Sequence, residues 1–477
     1  MGISISSSLE HNRRWNHFCL ILCGCLFVFF EAFCTSSQAN VGEAYGFGSR
    51  SSALAGIGQA EDGFSAYSNP AALPFSGEKR LIFSWALVSV TPRFLPISNV
   101  VVENAYTSDK VTVDSVANDY RSTFGQAVGL VYRLFPNSYN FTFGLTGFLP
   151  IEQVAYLDSG ETFEPEYVLY RSRTNRPQVE AGVGVEFGYG FRLGAGIHSA
   201  YSLTSDATVF LQTDSSKPST MRFISSMKPK AAPYFGAYLS STDGSNWYSL
   251  SSVVRLPVAS ANNMTLHSGA RAIGNFVALD FNFSSTSALY YDPLTVELGA
   301  SLKPLPFWTM FFQADYQGWS KFVAPSMQII NPQTTGSEDQ SKGVNISAGK
   351  SPTFTFVDLW IPRVGQEFRI GALSIRGGYA YRPSFLKGTP TGPGNYLDPP
   401  KHMWNGGFGY HFEKFLSFHT PCELSMHATY DRMVTQHITK DPGDENGAGA
   451  GDLKIGAPGY DAGGYLIGGG ATLSLAF

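Results

Sequence analysis

Hydrophobic and polar residues alternate with a period of two along most of this chain. In QVEAGVGVEFGY, residues 178–189, Val179, Val183 and Phe187 fall on one face of an extended strand, whereas glutamates and glycines fall on the other. The stretch WTMFFQADYQGW, residues 308–319, alternates in the same way. Because successive side chains of a strand point to opposite faces, this pattern predicts β-strands with one apolar face.

Fourteen stretches with this alternation are bounded by turn residues. They lie near residues 80–92, 122–136, 139–156, 177–189, 191–206, 232–241, 246–258, 292–302, 307–321, 358–370, 372–383, 402–413, 422–435 and 464–477. The connections between them are alternately long and short, so every long connection would lie at one end of an up-and-down sheet. Tight turns at one end and long loops at the other are typical of a membrane β-barrel.

The predicted fold class is therefore all-β, an antiparallel transmembrane β-barrel of 14 strands over residues 80–477. In hydrocarbon every backbone N–H and C=O must be paired, which a sheet achieves only by closing on itself. The last strand alternates up to Phe477 without a polar tail, so we expect it to pair with the first strand. A soluble β-sandwich is the alternative, but it gives no reason for placing all long loops at one end.

The composition agrees with strands that face lipid. Charged residues make up only 15% of the chain, aromatic residues reach 14%, and there are 50 glycines. No apolar stretch after residue 40 reaches the roughly 18 residues that a membrane helix needs. The net charge of −4 argues against nucleic acid as a partner, because binding its phosphates requires an excess of cations.

The first 39 residues are predicted to be a secretory signal peptide. Arg13 and Arg14 precede an apolar run over 18–30, and small residues lead to Ala39. A positive start, a short apolar core and small residues at the cleavage site are typical of such signals.

The sequence carries no sign of catalytic or metal chemistry. Four of the five cysteines lie in the predicted signal peptide, so Cys422 has no partner for an internal disulfide. No nucleophile elbow, H-E-x-x-H motif or phosphate-binding glycine loop is present. We therefore predict neither enzymatic activity nor a metal or other cofactor.

Residues 40–79 differ from the strands that follow them. They are rich in small residues and lack sustained alternation, and a barrel of this size needs a plug if it is not to be an open pore. We expect residues 40–79 to form a hatch inside the barrel. Within it, Asn69 is predicted to cap a short helix whose first residue is Pro70.

Strand alternation directs some charged side chains into the lumen. Arg376 and Arg382 fall opposite Ile375 and Tyr379, and the same pattern assigns Arg133 to the lumen. A lumenal arginine could bind a ligand carboxylate. The alternative is that such charges pair with one another and tie the hatch to the wall.

Several aromatic residues near strand ends are predicted to form the girdles that lie at membrane interfaces; ordinary lipid-facing positions are the alternative. They are Trp308, Trp319, Trp404, Tyr381 and Tyr410.

Four stretches resemble the FadL-type outer-membrane transporters of long-chain fatty acids and other hydrophobic compounds. They are AYGFGSRSSALAGIGQAEDGFSAYSNPAAL (44–73), ADYQGWSKF (314–322), LSIRGGYAYRPS (373–384) and the terminal strand ending in Phe477. The triplet Asn69-Pro70-Ala71 is the most specific of these features. The resemblance spans nearly all of the chain after the signal peptide, in the order of the family.

The resemblance implies a fourteen-stranded barrel blocked by the hatch, with substrate entering from outside and leaving sideways into the membrane. The exit is implied at a kink in the third strand, YNFTFGLTGFLPIEQVAYLD (139–158), which contains Pro150. Proline cannot donate a ladder hydrogen bond, so Pro150 marks either a gate kink or the end of the strand at residue 149. The segment GAGIHSAYSLTSD (194–206) has no basic residue to hold a carboxylate, which leaves fatty acids and aromatic hydrocarbons both open.

The resemblance also implies a location and partners. We expect a multi-pass protein of the Gram-negative outer membrane, surrounded by its lipid and recognised by the barrel-assembly machinery through Phe477. The alternative function is a structural or adhesion barrel that acts through its long outer loops.

Overall fold

The computed structural model describes most of the chain after the predicted signal peptide, which lies outside the described residues. Described are residues 46–59, 62–76, 80–104, 107–116, 120–135, 140–151, 165–167, 169–170, 176–212, 220–241, 247–271, 278–322, 326–329, 333–335, 354–392, 394–413, 420–442 and 453–477. Among these residues, no helix combines the length and the apolar character needed to cross a bilayer.

A closed antiparallel barrel of 14 strands forms the body of the protein. The strands are β1 Leu81–Phe94, β2 Thr123–Arg133, β3 Asn140–Pro150, β4 Gln178–Glu186, β5 Phe191–Gln212, β6 Thr220–Ser240, β7 Tyr248–Arg255, β8 Thr295–Leu305, β9 Trp308–Gln317, β10 Leu359–Ile370, β11 Leu373–Arg382, β12 Lys401–Phe412, β13 Cys422–Met433 and β14 Gly464–Ala476. Each pairs with the next, and β14 closes on β1 from Ile82↔Ala476 to Phe94↔Gly464. The predicted fold class is confirmed, and each predicted strand overlaps one strand of the barrel.

The outer connections contain additional strands, and the described part of the chain also has four short helices. The strands are Ile97–Asn104, Lys110–Val116, Glu166–Tyr167, Val258–Arg271, Ala278–Asp292, Ser326–Ile329, Gln333–Thr335, Tyr396–Leu397, Gln436–Thr439, Leu453–Gly456 and Gly459–Ala462. The helices are α1 Ser49–Ala53, α2 Ser65–Ser68 and the 3₁₀ turns Pro70–Ser76 and Trp319–Lys321.

Strands β5 and β6 continue far beyond the barrel wall. They are 22 and 21 residues long and pair with each other out to Phe210↔Thr220. The strand Val258–Arg271 pairs in parallel with the outer half of β5. The long connections between the predicted strands 191–206 and 232–241 and between 246–258 and 292–302 thus contain strands of their own. Outside the membrane no lipid selects for apolar side chains, so these strands lack the alternation that marks the barrel.

The barrel wall shows the predicted division between its two faces. Along β1 the inward residues, such as Ala86 and Val88, are buried, whereas Phe83, Trp85 and Leu87 are exposed. An apolar surface that is exposed on one face of every strand is what contact with lipid requires.

Residues 46–76 lie against the inner face of the wall; we call this the N-terminal segment. Helix α1 contacts strands β11 to β14, whereas the turn Pro70–Ser76 contacts β2 to β6. The segment thus touches the barrel on several sides of its interior. That it acts as a hatch remains a prediction.

Candidate functional site: the barrel interior

The triplet Asn69-Pro70-Ala71 lies where the last turn of the N-terminal segment begins. The side-chain oxygen of Asn69 accepts a hydrogen bond from the Ala71 amide at 2.9 Å, and the 3₁₀ turn begins at Pro70. This is the predicted cap, although the helix is 3₁₀ rather than α. Asn69 is fully buried.

Glycines in the wall allow the triplet to approach the strands. A Cβ at Gly236 of β6 would lie 2.2 Å from the Asn69 oxygen, and one at Gly194 of β5 would lie 2.3 Å from the Pro70 carbonyl carbon. Real Cβ atoms do not come so close, so any larger residue at either position would push the segment off the wall.

Two wall arginines bind backbone carbonyls of the N-terminal segment. On β7, Arg255 donates to the carbonyls of Tyr67 and Ser68, the latter at 2.9 Å. On β10, Arg363 donates to the Ala55 carbonyl at 2.6 Å. Both arginines are buried, so these contacts form away from water, where charge-assisted hydrogen bonds are strong.

Each of these arginines is also paired with a wall carboxylate. Arg255 lies 3.2 Å from Glu297, and Arg363 lies 2.5 Å from Asp315. The four charges therefore balance within the wall. These charges pair with one another and tie the N-terminal segment to the wall. This is the alternative to ligand binding that the sequence left open.

Arg376 belongs to a second network, closer to the short turn that joins β10 to β11. Its guanidinium lies 2.8 Å from both Glu367 and Glu423. Arg50 of the N-terminal segment shares Glu367 at 3.0 Å. Arg376 is buried, and binding of a ligand by it stays a prediction.

The other two predicted lumenal arginines lie elsewhere. Arg382 is fully buried at the outer end of β11, where it pairs with Asp398 at 2.8 Å. Arg133 is half-buried and is the last residue of β2. The three predicted arginines thus occupy three separate places rather than one binding site.

Asp62 of the N-terminal segment is half-buried and feels the charges of Arg50, Glu423 and Arg376. Asp62 accepts a hydrogen bond from the Phe64 amide at 2.8 Å. Burial raises the pKa of this carboxyl to about 6, against the opposing effects of the amide and of Arg50. Asp62 therefore titrates near physiological pH.

The space left between segment and wall is small. A cavity of about 80 Å³ is lined by Phe47, Tyr67, Asp62 and Met403, together with both arginine–carboxylate pairs. An engineered apolar cavity that binds one benzene molecule measures about 150 Å³. This cavity is therefore too small for such a ligand unless the N-terminal segment or the wall moves.

Aromatic residues fill the outer end of the barrel above this cavity. Phe94 stacks on Tyr167 with ring centroids 4.1 Å apart, and Trp319 stacks on Phe385 at 4.3 Å. Trp319 is fully buried, so its prediction as a girdle residue is wrong. It follows a strand end, but the chain turns inward there and leaves the lipid face.

Pro150 is the last residue of β3. The ladders from β3 to β2 and to β4 are continuous up to Gly125↔Pro150 and Phe148↔Gln178. The rest of the predicted strand, 152–156, lies outside the described residues. A gate kink at Pro150 stays a prediction.

Most of the residues that hold the interior together were not predicted from the sequence. Arg255, Glu297, Arg363 and Asp398 carry the interior ion pairs, yet none of them was singled out. Alternation alone would have directed Arg363 inward, because it falls opposite the lipid-facing Val364. The outer aromatic cluster could not have been found, because its members come from separate loops.

Comparison with known proteins identifies the fold. No protein-family model and no curated protein sequence matches the chain. A FadL homologue from Pseudomonas aeruginosa is 12% identical with a TM-score of 0.57, over 92% of this chain and 99% of that one. The TodX deltaS2S3 mutant, a monoaromatic hydrocarbon channel, is 12% identical with a TM-score of 0.52, over 91% and 100%. The chain therefore has the β-barrel fold of these FadL-homologue and hydrocarbon-channel structures.

Proposed function

We propose that this chain is a FadL-type channel that carries hydrophobic molecules passively across the outer membrane of a Gram-negative bacterium. The concentration gradient of the cargo and its partition into lipid would drive transport. The observation that carries this proposal is a closed barrel whose interior holds a separate segment beneath an aromatic outer end. The predicted signal peptide, 1–39, fits export to this membrane.

The outer aromatic cluster supports an entry site for apolar cargo. Its rings come from β1, from the outer connections and from the turn after β9, so they surround the mouth of the barrel. Aromatic side chains offer large apolar surfaces with little conformational freedom to lose on binding. The cargo would be a long-chain fatty acid or an aromatic hydrocarbon.

The lateral exit implied by the family resemblance belongs to this proposal. Phe148, close to the end of β3, stacks on Phe47 of the N-terminal segment at 5.2 Å. Movement of the segment would therefore free the outer end of β3 beside Pro150. Pro150→Ala restores a backbone donor there, and we expect it to slow uptake into vesicles; an unchanged rate would place the exit elsewhere.

Uptake into reconstituted vesicles tests the function. Vesicles containing the folded protein should take up labelled oleate or toluene faster than protein-free vesicles and than vesicles with heat-unfolded protein. Equal rates for both cargoes in all three preparations would contradict a channel for hydrophobic molecules.

A structural or adhesion barrel is the second candidate. The ion pairs that fill the interior around the N-terminal segment favour it, because they leave a cavity of only about 80 Å³. Such a barrel would show no uptake, and binding of cells or surfaces would depend on its outer strands. The same vesicle experiment separates the two candidates.

A further inference from the structure

One row of residues on the outside of the barrel combines aromatic and cationic side chains. Cross-strand pairing places Arg93 of β1, Tyr465 of β14, Arg432 of β13 and His402 of β12 in register, followed by Tyr381 of β11. Directly paired residues lie on the same face of a sheet. Both arginines are exposed there, so we call this set the outer row.

The outer row lies at the height of a membrane interface. Arg93 follows Phe83 by ten residues along β1. Of the outward residues between them, Trp85 and Leu87 are apolar and exposed, whereas Ser89 and Thr91 are polar and half-buried. Ten residues at about 3.3 Å each, in a strand tilted by about 40°, rise about 25 Å. This equals the height of the apolar band of an outer-membrane barrel, so the arginines reach the lipid headgroups of the outer leaflet.

The two arginines are available for a ligand. In the part of the chain that the structure describes, neither forms an ion pair with a carboxylate. They lie on strands that flank β14, about 10 Å apart, with Tyr465 between them. Two guanidinium groups at this spacing attract anionic oxygen atoms, and arginine binds phosphate in two-point hydrogen bonds.

The wall below the arginines fits the apolar part of a lipid. The next row contains the rings of Tyr379, Trp404 and Tyr430, with neighbouring centroids 5.9 and 6.0 Å apart. Beneath these rings a row of small residues crosses the same strands and leaves a shallow channel. It contains Gly377, Gly406, Ala428 and Gly469.

We propose that this wall, β11 to β14 with β1, is a binding site for an outer-leaflet lipid with a phosphorylated headgroup. Arg93 and Arg432 bind the phosphate. The rings of Tyr379, Trp404 and Tyr430 pack against the part of the headgroup that joins the acyl chains. One acyl chain lies in the channel formed by the small residues. The site is on the outside of the barrel, so it does not depend on the proposed transport function.

Native mass spectrometry of the intact protein tests this site. Delipidated protein is titrated with a phosphorylated glycolipid and, separately, with phosphatidylcholine, whose headgroup has no net charge. We expect preferential binding of the glycolipid, weakened at least about tenfold in the double variant Arg93→Gln/Arg432→Gln, because two charge-assisted contacts are lost. Arg222→Gln, an exposed arginine of β6 on the far side of the barrel, is the matched control and should bind like wild type.

Three results would overturn the proposal. They are equal glycolipid binding by wild type and the double variant, equal binding of phosphatidylcholine, and complete displacement by millimolar inorganic phosphate. The last result would mean that the apolar rows contribute nothing. Heat-dependent gel migration shows whether each variant is folded before the comparison is made.

Discussion

At the scale of residues, buried arginines decide how the interior is held together. Arg376 and Arg369 contact the same carboxylate, Glu367, but Arg376 is 1% exposed and Arg369 is 55% exposed. A buried ion pair that loses one partner leaves a charge without compensation, whereas an exposed pair contributes little. The contact with Glu367 should therefore contribute more to the free energy of unfolding at Arg376 than at Arg369.

We expect Arg376→Met to lower the free energy of unfolding by about 3–5 kcal/mol. Arg369→Met should lower it by less than about 1 kcal/mol. Urea titrations in lipid vesicles, followed by tryptophan fluorescence, measure both. Equal losses would show that burial does not set the contribution of these pairs.

Asp62 makes the stability of the interior depend on pH. Its folded-state pKa is about 6, above the ordinary value of 3.8, so the folded state binds a proton more tightly than the unfolded state. The contribution is most favourable below about pH 4 and is lost as pH rises through 6. Asp62→Asn should be close to wild type at pH 4 and exceed it by about 2–3 kcal/mol at pH 7.

Unfolding measured from pH 4 to pH 7 tests this pH dependence. Asp109→Asn, at an exposed loop position, is the control and should follow wild type throughout. A constant difference between Asp62→Asn and wild type across this range would contradict the assignment.

At the scale of elements, the barrel strands could be predicted from the sequence, but their outer extensions could not. Lipid on one face and a packed interior on the other impose the alternation read in β4 and β9. No such selection acts on the outer half of β6, where both faces are exposed. The cap at Asn69 was predictable because its hydrogen bond is local, whereas the contacts of Arg255 and Arg363 join distant parts of the chain.

Two adjacent glycines of β11 test how the N-terminal segment is seated. A Cβ at Gly378 would lie 2.5 Å from the Leu54 carbonyl carbon, whereas the nearest atom to a Cβ at Gly377 is 3.9 Å away. Gly378→Val should displace the segment and raise ion conductance in planar bilayers. Gly377→Val changes the same strand on its lipid face and should leave conductance unchanged; a similar rise in both variants would argue against a seated segment.

At the scale of the whole molecule, the interior is tightly packed. The proposed cargo can therefore pass only if part of the barrel interior moves. The cavity of about 80 Å³ is smaller than the roughly 150 Å³ that holds benzene. Twelve residues of the N-terminal segment line this cavity, including Phe47 and Ala55. Passage of the proposed cargo therefore requires this segment to shift first.

A reversible disulfide between the N-terminal segment and the wall tests most directly whether the segment must move for cargo to pass. The hydroxyl groups of Ser49 and Thr472 on β14 lie 2.9 Å apart, close enough for Ser49→Cys/Thr472→Cys to be bridged. In a chain starting at residue 40 and carrying Cys422→Ser, oxidation should abolish uptake of oleate or toluene into vesicles, and reduction should restore it. The Ser49→Cys single variant should transport in both states. Undiminished uptake by the oxidised double variant would contradict a route past the N-terminal segment.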